Sequence, residues 1–167
     1  YQKKVFIIEK GLAKGVDFLI KYNTDRVNLW TVYSFGVITR EDEELVYAPH
    51  YDRRHNINLL LSYLMDSKKN WEISVRWNYG SGFPFTKTKG YYENINLNNG
   101  ANSDIYSSNG ELGVLYADIN TGRLPEYHRL DVSIKRTYTF NSSNNLEISF
   151  GITNLYDRDN IFYYDRI

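Results

Sequence analysis

The chain has 167 residues, enough for one domain, and its 20 Lys and Arg balance 20 Asp and Glu, so the formal charge is zero. A nucleic-acid binder would carry a basic excess, which is absent here. There is no Cys, which excludes a disulfide framework and a thiolate metal site in this chain.

The longest uninterrupted apolar run is four residues, as in Val5 to Ile8, far short of the roughly 20 that a transmembrane helix needs. Tyr is unusually frequent at 16 residues, beside 18 Asn and only three Pro. Tyr favours strands and interfaces, and Asn favours turns and polar surfaces. The chain opens Tyr-Gln-Lys-Lys, without Met or a signal-peptide pattern, and reads as a section of something longer.

In chain order, apolar and polar residues alternate with a period of two. Val16, Phe18, Ile20 and Tyr22 form the first such face; Ile57, Leu59, Leu61 and Tyr63 form another. Trp71, Ile73, Val75, Trp77 and Tyr79 alternate with Glu72, Ser74, Arg76 and Asn78. Leu130, Val132 and Ile134 continue into Tyr138 and Phe140, and Leu146, Ile148, Phe150 and Ile152 follow. Such patterns predict long strands with one apolar and one polar face, at about 12–22, 27–39, 53–65, 71–79, 127–140 and 146–156. The segment 27–39 is ambiguous, because Trp30 and Val32 are out of phase with Leu29, Tyr33 and Phe35.

The connections at 23–26, 40–52, 66–70, 80–126 and 141–145 run short, long, short, long, short. A soluble sandwich has no reason to sort its loops by parity. A transmembrane β-barrel does, with short periplasmic turns and long extracellular loops. A five-residue turn at 141–145 sets Phe140 opposite Leu146 and Tyr138 opposite Ile148, apolar to apolar. A turn at 66–70 likewise sets Met65 opposite Trp71 and Tyr63 opposite Ile73. Tyr22, Tyr63, Trp71, Tyr138 and Phe140 then lie on apolar faces close to short turns, as an interfacial aromatic girdle would. The expected fold is an all-β, antiparallel up-and-down section of a transmembrane barrel, about six long strands and not closed.

Several segments resemble TonB-dependent outer-membrane receptors. They are Asp52-Arg53-Arg54-His55-Asn56, Gly80-Ser81-Gly82-Phe83-Pro84-Phe85-Thr86, the run from Leu124 to Ser133, and Asn154-Leu155-Tyr156-Asp157-Arg158-Asp159-Asn160. The resemblance spans nearly the whole chain in the family's order. It implies a large single-chain barrel of about 22 strands closed by a plug, in the outer membrane of a Gram-negative bacterium. It implies active uptake of a scarce ligand such as a metal chelate, cobalamin or glycan. The partners implied are outer-membrane lipid, the rest of the barrel and its plug, the TonB complex and a surface lipoprotein. Residues 1–167 would be the C-terminal barrel section, since the plug, the TonB-contacting segment and a closing strand do not appear in them; residues 146–156 would then meet a further strand begun by Ile161 to Tyr164 and completed beyond Ile167.

No catalytic residue, cofactor or metal site is expected. His50, His55 and His128 form no familiar ligand spacing, and a hydrogen-bonding role is the simpler one. Gly80-Ser81-Gly82 has the wrong spacing for a nucleophile elbow. Glu41 to Glu44 reads as a solvated loop tip. Tyr91, Tyr92, Asn94 and Tyr106 lie in or beside an Asn-rich segment at 94–110; rings and amides there suit a sugar or chelate. Arg76, Asp131, Lys135 and Glu147 take alternate positions facing a lumen, where they would pair with one another or with a plug. Arg136 falls by parity on the lipid face, close enough to the periplasmic headgroups to snorkel.

Two other functions fit parts of the pattern. The same wall with different loops would serve adhesion or a secretion scaffold. A soluble glycan-binding β-sandwich is the third reading, opposed by loop parity and the aromatic girdle.

Overall fold

The computed structural model describes residues 9–42, 45–94, 111–141 and 144–164. Among them every regular element is a β-strand and every pairing is antiparallel. The long strands are β1 (Lys10–Asn23), β2 (Val27–Glu41), β4 (His55–Leu64), β5 (Trp71–Gly80), β10 (Tyr127–Asn141) and β11 (Asn144–Ile152). They lie side by side in that order, an up-and-down meander, with β3 (Val46–Tyr47) pairing with the end of β2. The connection from β5 to β10 carries β6 (Pro84–Phe85), β7 (Thr88–Asn94), β8 (Glu111–Tyr116) and β9 (Gly122–Arg123). There β6 pairs with β9 and β7 with β8, as two small separate sheets.

The tight connections have local causes. At 24–26 the Thr24 hydroxyl accepts from Val27 N at 2.9 Å, and Thr24 N donates to Val27 O. At 66–70 the Asp66 carboxylate accepts from Asn70 N at 2.7 Å and Trp71 N at 3.0 Å. Lys69 takes a left-handed φ of 56° there. The Trp71 amide, with that of Asn70, holds the Asp66 carboxyl below its ordinary pKa despite some desolvation.

Register settles which side chains share a face. Phe18 pairs with Tyr33, Tyr33 with Ile57, Ile57 with Tyr79 and Tyr79 with His128. Further along, Tyr22 pairs with Leu29, Leu29 with Leu61, Leu61 with Val75, Val75 with Val132 and Val132 with Ile152. One face is therefore apolar across all six strands. The ambiguity in β2 resolves with Leu29, Tyr33 and Phe35 on this face and Trp30 and Val32 on the other. Tyr63 pairs with Ile73, and Met65 N donates to Trp71 O, as the turn length predicts.

The opposite face, apart from an apolar group at Leu19, Trp30, Val32 and Leu60, is largely polar and internally bonded. Lys135 reaches Glu72 at 2.8 Å and Glu147 at 4.0 Å, and Arg129 reaches Asp131 at 2.9 Å. Asn78 Nδ2 donates to Asn58 Oδ1 at 2.6 Å, and the Ser62 and Ser74 hydroxyls meet at 3.0 Å. Arg76, Asp131, Lys135 and Glu147 all share this face. Arg76 stands opposite Asp131 in the ladder, yet Asp131 pairs with Arg129 and also accepts from Asn154 N.

The sheet has no hydrophobic core on either side. Among the described residues the buried apolar side chains are Leu124, Pro49 and Pro84, all in the connections, whereas Phe18 is 59% exposed and Phe150 67%. A soluble domain of this size would hide much of that surface.

Three expectations need correction. The β10–β11 register is displaced by two residues: Tyr138 pairs with Leu146, Arg136 with Ile148 and Ile134 with Phe150. A shift of two keeps every side chain on its face, so the apolar pattern tolerates both registers; a bulge between Thr139 and Asn141 and a tighter connection select this one. Strand β11 ends at Ile152 rather than 156, because Asn154 and Asp157 take left-handed φ values of 54° and 51° and turn the chain.

Residues 161–164 do not begin another strand. The segment after β11 returns along the start of β10 instead. The Asn160 amide there replaces a backbone rung, accepting from His128 N at 3.1 Å and donating to His128 O at 3.2 Å.

Candidate functional site

Beyond the end of the sheet where β4 begins, three connections are knitted together around one carboxylate. Asp52 is wholly buried. Its Oδ1 accepts from Ile38 N at 2.8 Å, and its Oδ2 accepts from Arg54 Nε at 2.7 Å and Arg123 Nη2 at 2.6 Å. Desolvation works to raise the Asp52 pKa, but the Ile38 amide and the Arg123 and Arg54 guanidinium groups outweigh it and hold the carboxyl below its ordinary value. Arg123 Nη1 also donates to Asp52 O and Gly82 O, so one side chain ties the segment before β4 to the segment before β6. Asn120, at a left-handed φ of 55°, donates from Nδ2 to Ala48 O and from its amide to the Thr86 hydroxyl.

One glycine is needed for this knot: a Cβ on Gly82 would overlap the Leu124 carbonyl, whereas one on Gly80 would meet only the Arg53 guanidinium, the end of a flexible side chain. Arg53 lies flat, its Cζ 4.2 Å from the centre of the Phe83 ring and 5.8 Å from that of Tyr127. The segments 52–56, 80–86 and 124–133, separate in sequence, thus meet at one place.

Against this knot opens a cleft of about 670 Å³. Phe83, Pro84, Phe85 and Leu124 form its floor side, with Tyr91 of β7 and His50 and Tyr51 also lining it. Phe162, Tyr163 and Tyr164 complete the wall; Tyr164 packs edge-on against Phe85 at 5.3 Å and Phe162 tilts against Tyr127 at 5.8 Å. Thr86 and Thr88 supply hydroxyls, and among the described residues no Lys, Arg, Asp or Glu lines it. Such a volume, apolar with a few polar groups, is that of a small-molecule site.

The structure brings one of the expected ligand residues here. Tyr91 lines the cleft, whereas Tyr92 alternates away from it and covers Gly113 across the β7–β8 hairpin, where a Cβ would meet its ring. Asn94 closes β7, its side chain outside the described residues, and Tyr106 lies outside them entirely. Sequence reasoning missed the Tyr51, Phe85 and 162–164 contributions. The signal was present as aromatic-rich runs, Phe83 to Phe85 and Phe162 to Tyr164, but nothing local showed that they meet.

Two of the three histidines, His55 and His128, take hydrogen-bonding places at this end of the sheet. The Tyr33 hydroxyl lies 2.9 Å from His55 Nδ1, and the Tyr156 hydroxyl 2.6 Å from His128 Nδ1. Among the described residues no group of three or more His, Asp or Glu is placed to hold a metal ion. No family model, curated protein or solved structure matches the chain.

Proposed function

We propose that this chain is part of the wall of an outer-membrane β-barrel, a TonB-dependent receptor that takes up a scarce ligand from outside the cell. The observation that carries the reading is a six-stranded meander with one face apolar and exposed, the other largely polar and hydrogen-bonded, and no core on either side. That is the arrangement lipid and an aqueous lumen require. Strands β4 and β5 are ten residues long, matching the roughly 9–11 residues of a tilted strand that crosses a bilayer. In the barrel β1 and β11 pair with further strands, since open edges in lipid leave unsatisfied backbone groups.

Arg136 supports the same reading. It sits on the apolar face at the short-turn end, its Cζ 4.8 Å from the Trp71 ring centre and 4.4 Å from that of Tyr138. A cation flanked by two interfacial aromatics belongs at headgroup depth. Tyr22 and Tyr63 lie on the same face near the other short turn. The short turns then face the periplasm, and the knot and cleft face outward. The lumen-facing residues Arg76, Asp131, Lys135 and Glu147 line the passage, and the plug, the TonB complex and a surface lipoprotein are the partners.

Cysteine labelling tests this directly, because the chain has no Cys of its own. In isolated outer membranes, Val75→Cys should resist a water-soluble maleimide and Ser74→Cys should react. Equal labelling of both, or recovery of the protein in the soluble fraction, overturns the reading.

A further inference from the structure

We infer that the aromatic cleft at the outer end of the sheet binds a neutral oligosaccharide. The inference deepens the receptor reading and rests on it. Most described side chains in the connections are polar or charged, yet the described residues lining this cleft are mainly rings and none is Lys, Arg, Asp or Glu. Tyr51, Tyr91, Phe162, Tyr163 and Tyr164 remain 44% or more exposed around it, Tyr163 at 74%. Exposed rings clustered about one cavity mark a binding surface rather than unfinished packing.

The chemistry of the lining selects the ligand. A ferric chelate built on catecholates is anionic, and a porphyrin carries carboxylates; each needs Lys or Arg to replace its lost hydration. Described guanidinium groups beside the cleft are already engaged: Arg123 is bound to Asp52 and Gly82, Arg53 lies over Phe83, and Arg40 is paired with Glu9. A neutral pyranose has the opposite needs. Its C–H face lies on an aromatic ring without desolvating a charge, and its hydroxyls at the edge exchange hydrogen bonds with groups of the Tyr, Thr and His type. Tyr91, Tyr163 and Tyr164 offer both a ring and a hydroxyl, and Phe85 and Phe162 offer rings alone. The cleft volume admits more than one sugar ring, so the ligand is an oligomer rather than a monosaccharide.

The rings are fixed from behind, which lowers the ordering cost of binding. Phe85 belongs to the β6–β9 pair and packs against Tyr164, while Arg40 lies 5.7 Å from the Tyr51 ring centre and His50 packs edge-on against that ring.

The test uses the full-length receptor extracted from outer membranes in detergent. Linear hexaoses of glucose, xylose, mannose and N-acetylglucosamine are titrated by calorimetry, beside a ferric tricatecholate and haemin. At least one hexaose should bind, and Tyr91→Ala and Tyr164→Ala should each weaken it about tenfold or more. The two anionic probes should not compete with it. Binding by none of the hexaoses, hexaose binding indifferent to both substitutions, or cleft-dependent binding of either anion overturns the inference. Heat-modifiable migration and outer-membrane recovery, followed in the same preparations, report on the barrel reading separately. A receptor that passes both and binds no hexaose refutes the ligand class alone.

Discussion

Val75 and Asp52 stand for two regions of the same chain. Val75 lies mid-strand between Leu61 and Val132, on a face built of aliphatic and aromatic side chains with no second layer over them. Asp52 lies where the chain enters β4, fully buried among two guanidinium groups and a backbone amide. A soluble protein has the reverse arrangement, burying apolar groups and solvating charge. The sheet leaves its apolar face without a second layer, whereas the knot creates a small polar interior of its own.

The largest expected effect tests the wall. Val75→Arg, at mid-strand on the apolar face, should destabilise the lipid-embedded protein by about 2–4 kcal/mol. Ser34→Arg, on the polar face opposite Asp17, should stay within about 0.5 kcal/mol of wild type. Urea unfolding in lipid vesicles measures both. Similar losses at the two positions would break the distinction between the faces.

The knot comes next. Asp52→Ala leaves Arg54, Arg123 and Ile38 N without their acceptor, but both guanidinium groups are about one-third exposed and water partly replaces it. The expected loss is about 2–3 kcal/mol, read as faster proteolysis within residues 80–126 while the strands stay protected. The same carboxylate gives the pH dependence its sign. Its folded pKa lies below the ordinary 3.8, so its stabilisation is complete above that value and is lost as pH falls through the depressed one. Proteolysis by an acid-active protease should show the 80–126 connection holding at pH 5 and loosening only below about pH 4.

A smaller effect, about 1–3 kcal/mol, is expected from Gly82→Ala, whose Cβ must displace the Leu124 carbonyl. It should appear as the same local proteolysis, without loss of membrane insertion. The smallest belongs to Arg136. Arg136→Ala removes contacts to Trp71 and Tyr138 worth about 0.5–1 kcal/mol. A loss several times larger would place Arg136 in a role other than an interfacial anchor.

Alternation by itself pointed to the six long strands and, in all but β2, to the assignment of residues to faces, because side-chain direction in a strand has a period of two and needs no partner. It also determined the β4–β5 register, where the Asp66 turn fixes the pairing within a few residues. The β10–β11 register was beyond it, since displacement by two residues leaves both apolar faces intact and only the bulge and the tighter connection decide.

The knot and the cleft were further still from view. Asp52 and Arg123 are 71 positions apart, and Phe85 meets Tyr164 across nearly half the chain. Periodicity is local, whereas these contacts exist because the meander brings the long connections to one end. Only the tertiary structure places their charges and rings together.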